Sequence, residues 1–130
     1  MNSTNFFENQ FTIMWIKDGI LYVTYQPSLI VTEEVAKICV QDRLKLCDGK
    51  SYPMLADGRT IKSFERNARS YLSTGDAIRG LTAGAFVIKN QIEKFMGNAF
   101  FTINRPKVPA KLFTSEDEAL IWLQYFKHLN

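Results

Sequence analysis

The side chains able to do chemistry in this chain are few, and their spacing limits what they can do. His128 is the only histidine. It falls at the end of the last predicted helix, where a base is expected to fray. Cys39 and Cys47 stand eight positions apart within one predicted helix. At about 1.5 Å of rise per residue their Cα atoms are too distant for a disulfide, so both read as reduced core thiols. A nucleophile needs a positioned base, and neither cysteine has one in view. There is no CxxC pair, so zinc and thioredoxin-like chemistries lack their ligands. No GxxxxGK[ST] or GxGxxG loop is present to cradle a phosphate. The carboxylates Asp42, Asp57 and Glu65 are dispersed rather than paired for acid–base work. The expectation is a chain that is not an enzyme, with no catalytic residue, no metal site and no cofactor.

Charge is more informative. The net charge is +3, with 16 Lys and Arg against 13 Asp and Glu. From Arg59 to Lys111, ten basic residues stand against three acidic ones, a local balance of +7, and the remainder has six against ten, or −4. Within the basic stretch Lys62, Arg66 and Arg69 follow i, i+4, i+7 spacing, opposite the apolar positions Phe64, Ala68, Tyr71 and Leu72. These three form a candidate surface for an anionic partner. Without interleaved exposed aromatics the stripe disfavours nucleic acid and suits an acidic protein face or an anionic lipid headgroup. Arg43 is a different case. At about 100° per residue it falls amid Val35, Ala36, Cys39, Val40, Leu46 and Cys47. A guanidinium there demands a partner, and Asp57 or Asp42 could supply it as a structural ion pair.

The elements that position these residues can be read in order. Phe11 to Lys17 and Ile20 to Tyr25 are β-branched and aromatic runs around Asp18-Gly19, a pair suited to a type I′ turn. Thr32 is a natural N-cap for a helix to about Leu46, with Gly49 as a left-handed exit. Tyr52 to Asp57 predicts a strand, Ser63 to about Leu72 a helix capped by Ser63, and Ala77 to Leu81 a further helical turn. Thr82 to Ile88 predicts a strand whose small residues permit close helix approach, and Gln91 to about Asn104 a helix. Val108 to Phe113 reads as an edge strand because Pro106 and Pro109 flank or enter it. The last helix opens at Ser115 with a capping box and turns Ala119, Trp122, Leu123 and Phe126 inward. Phe101, Ile121 and Tyr125 fall on outer helix faces, a candidate apolar interface.

The runs DGRTIKSFERNARSYL, TAGAFVIKN and FMGNAFFTINRPKVPAKLFTSEDEALIWLQYF resemble small bacterial proteins of the STAS-like family, similar to anti-sigma-factor antagonists. The resemblance covers nearly the whole chain. It implies a phosphoserine switch at the start of the helix after the central strand. The matching positions here are Glu65, Arg66 and Asn67, none of them a hydroxyl residue. The switch is therefore not carried over.

Together these readings predict a single α/β domain of STAS-like fold over residues 1–130, with residues 1–9 expected to fray. An N-terminal β-hairpin precedes alternating α and β elements. The sheet is expected to be mainly parallel and five-stranded, packed with about four to five helices. The expected function is a non-enzymatic protein-binding or regulatory module, contacting a protein partner or a second copy. The alternative is a small carrier or membrane-associating protein that binds a lipid-like or anionic ligand. The start lacks a basic segment followed by an apolar one and no apolar run approaches about 20 residues, so the expected location is cytoplasmic.

Overall fold

A computed structural model describes residues 5–73, 75–91, 93–94, 97–98 and 107–127. Asp18 and Gly19 both take positive φ, 53° and 77°, the geometry their pairing predicts for a tight hairpin turn. They join β2 (Thr12–Lys17) to β3 (Ile20–Tyr25), antiparallel from Lys17↔Ile20 to Thr12↔Tyr25. β1 (Phe6–Glu8) pairs with the outer side of β2. The sequence reading leaves this strand out, because three residues are too few to show alternation. Beyond β3 the sheet continues in parallel through β5 (Tyr52–Asp57), β7 (Leu81–Val87) and β8 (Ala110–Phe113). The expected five strands are thus six, in the order β1-β2-β3-β5-β7-β8.

α1 (Glu33–Cys47) begins where Thr32 Oγ1 accepts from the Val35 amide at 3.1 Å, and it ends in left-handed Asp48 and Gly49. α2 (Arg66–Leu72) starts later than its sequence predicts. Ser63 and Phe64 instead form β6 (Ser63–Phe64), parallel to β4 (Ile30–Val31), so Ser63 is not a helix cap. The Phe64 ring packs edge-on to Tyr25 at 6.1 Å and the Glu65 amide donates to Val31 O, which holds this segment extended. A 3-10 turn occupies Gly75–Ala77. Of the helix predicted from Gln91, the residues Gln91, Glu93, Lys94, Gly97 and Asn98 are helical, and the rest lies outside the described residues. α3 (Glu116–Gln124) is capped by Ser115, whose Oγ accepts from the Glu118 amide. The described α-helices with defined ends therefore number three, fewer than the four to five expected.

Strands β3, β5, β7 and β8 are neighbours in chain order, so each crossover steps the same way across the sheet. The right-handed rule then places all of these connections on one face. On that face α1 and α2 share a core with Met14, Leu21, Val23, Tyr25, Met54 and Ala56. On the other, α3 inserts Ala119 and Leu123 against Leu55, Ala83, Ala85, Val87 and Phe113. One consequence bears on function. Crossovers that all step in one direction leave no strand-order reversal in the parallel part, the place where open α/β sheets usually form a ligand crevice. Space for a ligand has to lie under the helices instead.

Candidate functional site

Arg43 sits where the helical wheel places it and is 3% exposed. Its Nη1 donates to Arg79 O at 2.9 Å, and its Nη2 donates to Ala77 O at 2.9 Å and Asp76 O at 3.4 Å. The expected pair with Asp57 does not form. α1 carries Arg43 to the N-terminal end of the parallel strands, beside Gly80 and Lys50, whereas Asp57 closes the C-terminal end of β5. Asp42 is also committed elsewhere, since its Oδ2 accepts from Asn9 Nδ2 at 2.8 Å. Among the described residues no carboxylate pairs with Arg43. Burial lowers its pKa, and the neighbouring Cys47, Tyr25 and Tyr71 act the other way.

Asp57 meets Arg59 across the Gly58 turn. Its Oδ1 accepts from the Arg59 amide at 3.1 Å and from Nε at 3.0 Å, and its Oδ2 accepts from Nη2 at 2.7 Å. These bonds hold the Asp57 carboxyl below its ordinary range against the opposing effect of partial burial. Glu116, at the start of α3, reaches the same guanidinium at 3.5 Å. Arg59 was missed in the sequence, although a basic residue two positions after a strand-ending acid is the signal for such a clamp.

The basic stripe is divided. Lys62 lies off the helix, its amide donating to Leu29 O, while Arg66 opens α2 and Arg69 donates from Nη1 to Phe64 O at 2.7 Å. All three are exposed. Of the apolar interface candidates, Ile121 on α3 is 66% exposed and Tyr125, the C-cap of that helix, 78%. Phe101 lies outside the described residues.

A cavity of about 560 Å³ opens on the helix side of the sheet. The described part of its wall takes Tyr25, Met54, Gly84 and Phe86 from the strands, Arg43 from α1, and Arg69 and Leu72 from α2. Gly97 and β8 close another side through Ala110 and Leu112, and Lys62 and Glu93 add charge. Small residues make the room. Ala83 and Ala85 face the packed side under α3, as close helix approach requires, but Gly84 between them faces the cavity. A Cβ there would meet nothing nearer than Met54 Cε at 3.9 Å.

Tyr25, also on this wall, is 7% exposed. Its hydroxyl has no hydrogen-bond partner among the described residues, yet no side-chain N or O sealed from solvent is left unsatisfied. The hydroxyl therefore borders open space. Burial raises its pKa, an effect the charge of Arg43 opposes.

The model of a family described as "Domain of unknown function (DUF7793)" matches residues 14–127. The chain belongs to this family. No curated protein matches it. Its fold is similar to that of an uncharacterized protein of the DUF3478 family from Shewanella loihica PV-4, described as having a SpoIIAA-like fold. That likeness has a TM-score of 0.59 at 13% identity, covering 86% of this chain and 91% of the other. A protein of unknown function from Arthrobacter sp. FB24 is 24% identical over 96% of both chains, with a TM-score of 0.31. The fold of this DUF7793 chain is STAS-like, as its sequence suggests. Among its described residues no helix is long and apolar enough to cross a membrane.

Proposed function

We propose that this chain is a non-enzymatic binding module that holds a small apolar or anionic ligand between its helices and its sheet. The cavity carries the reading. Protein interiors hold few voids larger than a water molecule, whereas ligand sites measure roughly 300–1,000 Å³. A space of about 560 Å³ belongs to the second class. Its described wall is apolar along the strands and carries Lys62 and Arg69 against Glu93, matching a ligand with an apolar body. The module works without the phosphoserine switch, since Glu65, Arg66 and Asn67 occupy the start of α2.

The test fills the space. Gly84→Leu places a side chain into the cavity from a strand position with ordinary backbone geometry, and replacing a strand glycine does not itself weaken the fold. Titration with 1-anilinonaphthalene-8-sulfonate is expected to show one saturable site in the wild type, weakened about ten-fold or more in the variant, with the melting temperature kept or raised. Equal binding by the two proteins, or none by the wild type, would refute the proposal.

A second reading is favoured by α3. Ile121 and Tyr125 present adjacent apolar surface to solvent, which suits a protein partner or a second copy of this chain. Light scattering and affinity capture with Ile121→Asp and Tyr125→Asp test it, and unchanged assembly and unchanged partners would remove it.

A further inference from the structure

The cavity contains an asymmetry that narrows the ligand class. A buried charge is costly unless it is matched. Arg43 has three neutral carbonyl oxygens as partners and, among the described residues, no carboxylate. These carbonyls take three of the five guanidinium N–H groups and leave a net positive charge inside the protein. Tyr25 adds a hydroxyl that borders the same space with no bond of its own. A guanidinium and a phenol are both donors, and both suit an oxyanion. The strand wall offers Met54, Gly84, Phe86 and Leu112, which suit hydrocarbon.

Resting on the ligand-binding reading above, we infer that the cavity takes an amphipathic monoanion, a carboxylate on an apolar tail, with its acid group directed to Arg43 and Tyr25. The tail lies along the strand face. Arg43 is then more than a structural tie between α1 and the 3-10 turn, because the same charge selects an anion over a neutral molecule of equal length. A purely structural Arg43 would not distinguish the two.

The experiment is calorimetric titration of the full chain with decanoate and with 1-decanol, matched in chain length and differing in charge. Decanoate is expected to bind one per chain at least about ten-fold more tightly, the scale of a charge-assisted hydrogen bond in a buried site. Tyr25→Phe, which removes only the unbonded hydroxyl, is expected to weaken decanoate several-fold and leave decanol unchanged. Arg43→Met is expected to abolish the preference, with near-ultraviolet circular dichroism reporting whether it folds. If it does not fold, the wild-type comparison and Tyr25→Phe decide. Equal affinity for acid and alcohol would overturn the assignment of the headgroup while leaving a ligand cavity in place. Binding of neither would overturn both.

Discussion

Cys39 shows how far a single side chain here is governed by its surroundings. Burial pushes its thiol up to about 11, although hydrogen bonds with Thr12 and Asn9 pull the other way. Cys47 is shifted upward by burial as well, with Arg43 beside it opposing. Thiolate is the reactive form, so at pH 8 both should be inert. We expect Ellman's reagent to titrate neither cysteine in the native protein and both in urea; a fast native reaction at either would show that its burial is wrong. Asp57 gives the opposite sign. Its folded pKa lies below the ordinary value, so its contribution is present above about pH 4 and is lost as pH falls through the folded value. Because Arg59 is 43% exposed, solvent screening holds the pair under about 1 kcal/mol. Urea melts of wild type and Asp57→Asn should differ slightly at pH 7 and converge as pH falls through the folded value, and a gap that widens on acidification would contradict this assignment. The burial of Arg43 was legible from helical periodicity alone. Its partners were not, because the carbonyls of residues 76, 77 and 79 reach it only through tertiary placement of the 3-10 turn. Asn9 was invisible for the same reason. Its Oδ1 accepts from the Phe11 and Thr12 amides and its Nδ2 donates to Asp42, a tie from the first strands to α1 that no local pattern announces.

At the scale of elements, what could be read was what local chemistry dictates. Asp18-Gly19, Thr32 and Ser115 each act as their residue types predict, fixing one hairpin and two helix starts. Where two local signals competed, the reading slipped. Ser63 is a good N-cap, but its neighbour Phe64 has a place against Tyr25, and the segment pairs with β4 instead. The helix then begins after Glu65, which sits at the cap position with extended backbone and makes no side-chain cap bond. That vacancy predicts an improvement. Glu65→Ser supplies an acceptor for an orphan amide, an effect of about 1 kcal/mol, and should raise the melting temperature by about 4 °C in a domain of this size. Calorimetry measures it directly, and an unchanged or lowered midpoint would mean that α2 is not limited by its cap.

The whole molecule is a sheet with unequal sides. Under α3 the core is close-packed: Ala83, Ala85, Val87, Ala119 and Leu123 are all fully buried. Under α1 and α2 the sheet borders a space of about 560 Å³. The strand order explains why both can coexist, since one-directional crossovers place α1 and α2 on one face, and α3 covers the other. A small-residue strand such as TAGAFVI therefore serves two purposes, its alanines admitting α3 and its central glycine widening the cavity. Sequence alone shows the small residues and not which face each takes. The two faces should respond differently to truncation. Leu123→Ala removes side-chain volume from a packed site and is expected to cost about 3 kcal/mol. Met54→Ala, on a side chain that already borders open space, enlarges an existing cavity rather than creating one and should cost about 2 kcal/mol, the low end for such a truncation. Saturating decanoate should narrow the contrast, because a ligand that binds only the folded state adds stability in proportion to the logarithm of its excess over Kd. Leu123→Ala should keep that gain and Met54→Ala should lose part of it. Urea midpoints with and without ligand read both quantities, and equal costs at the two sites would mean that the face under α1 and α2 is as tightly packed as the other.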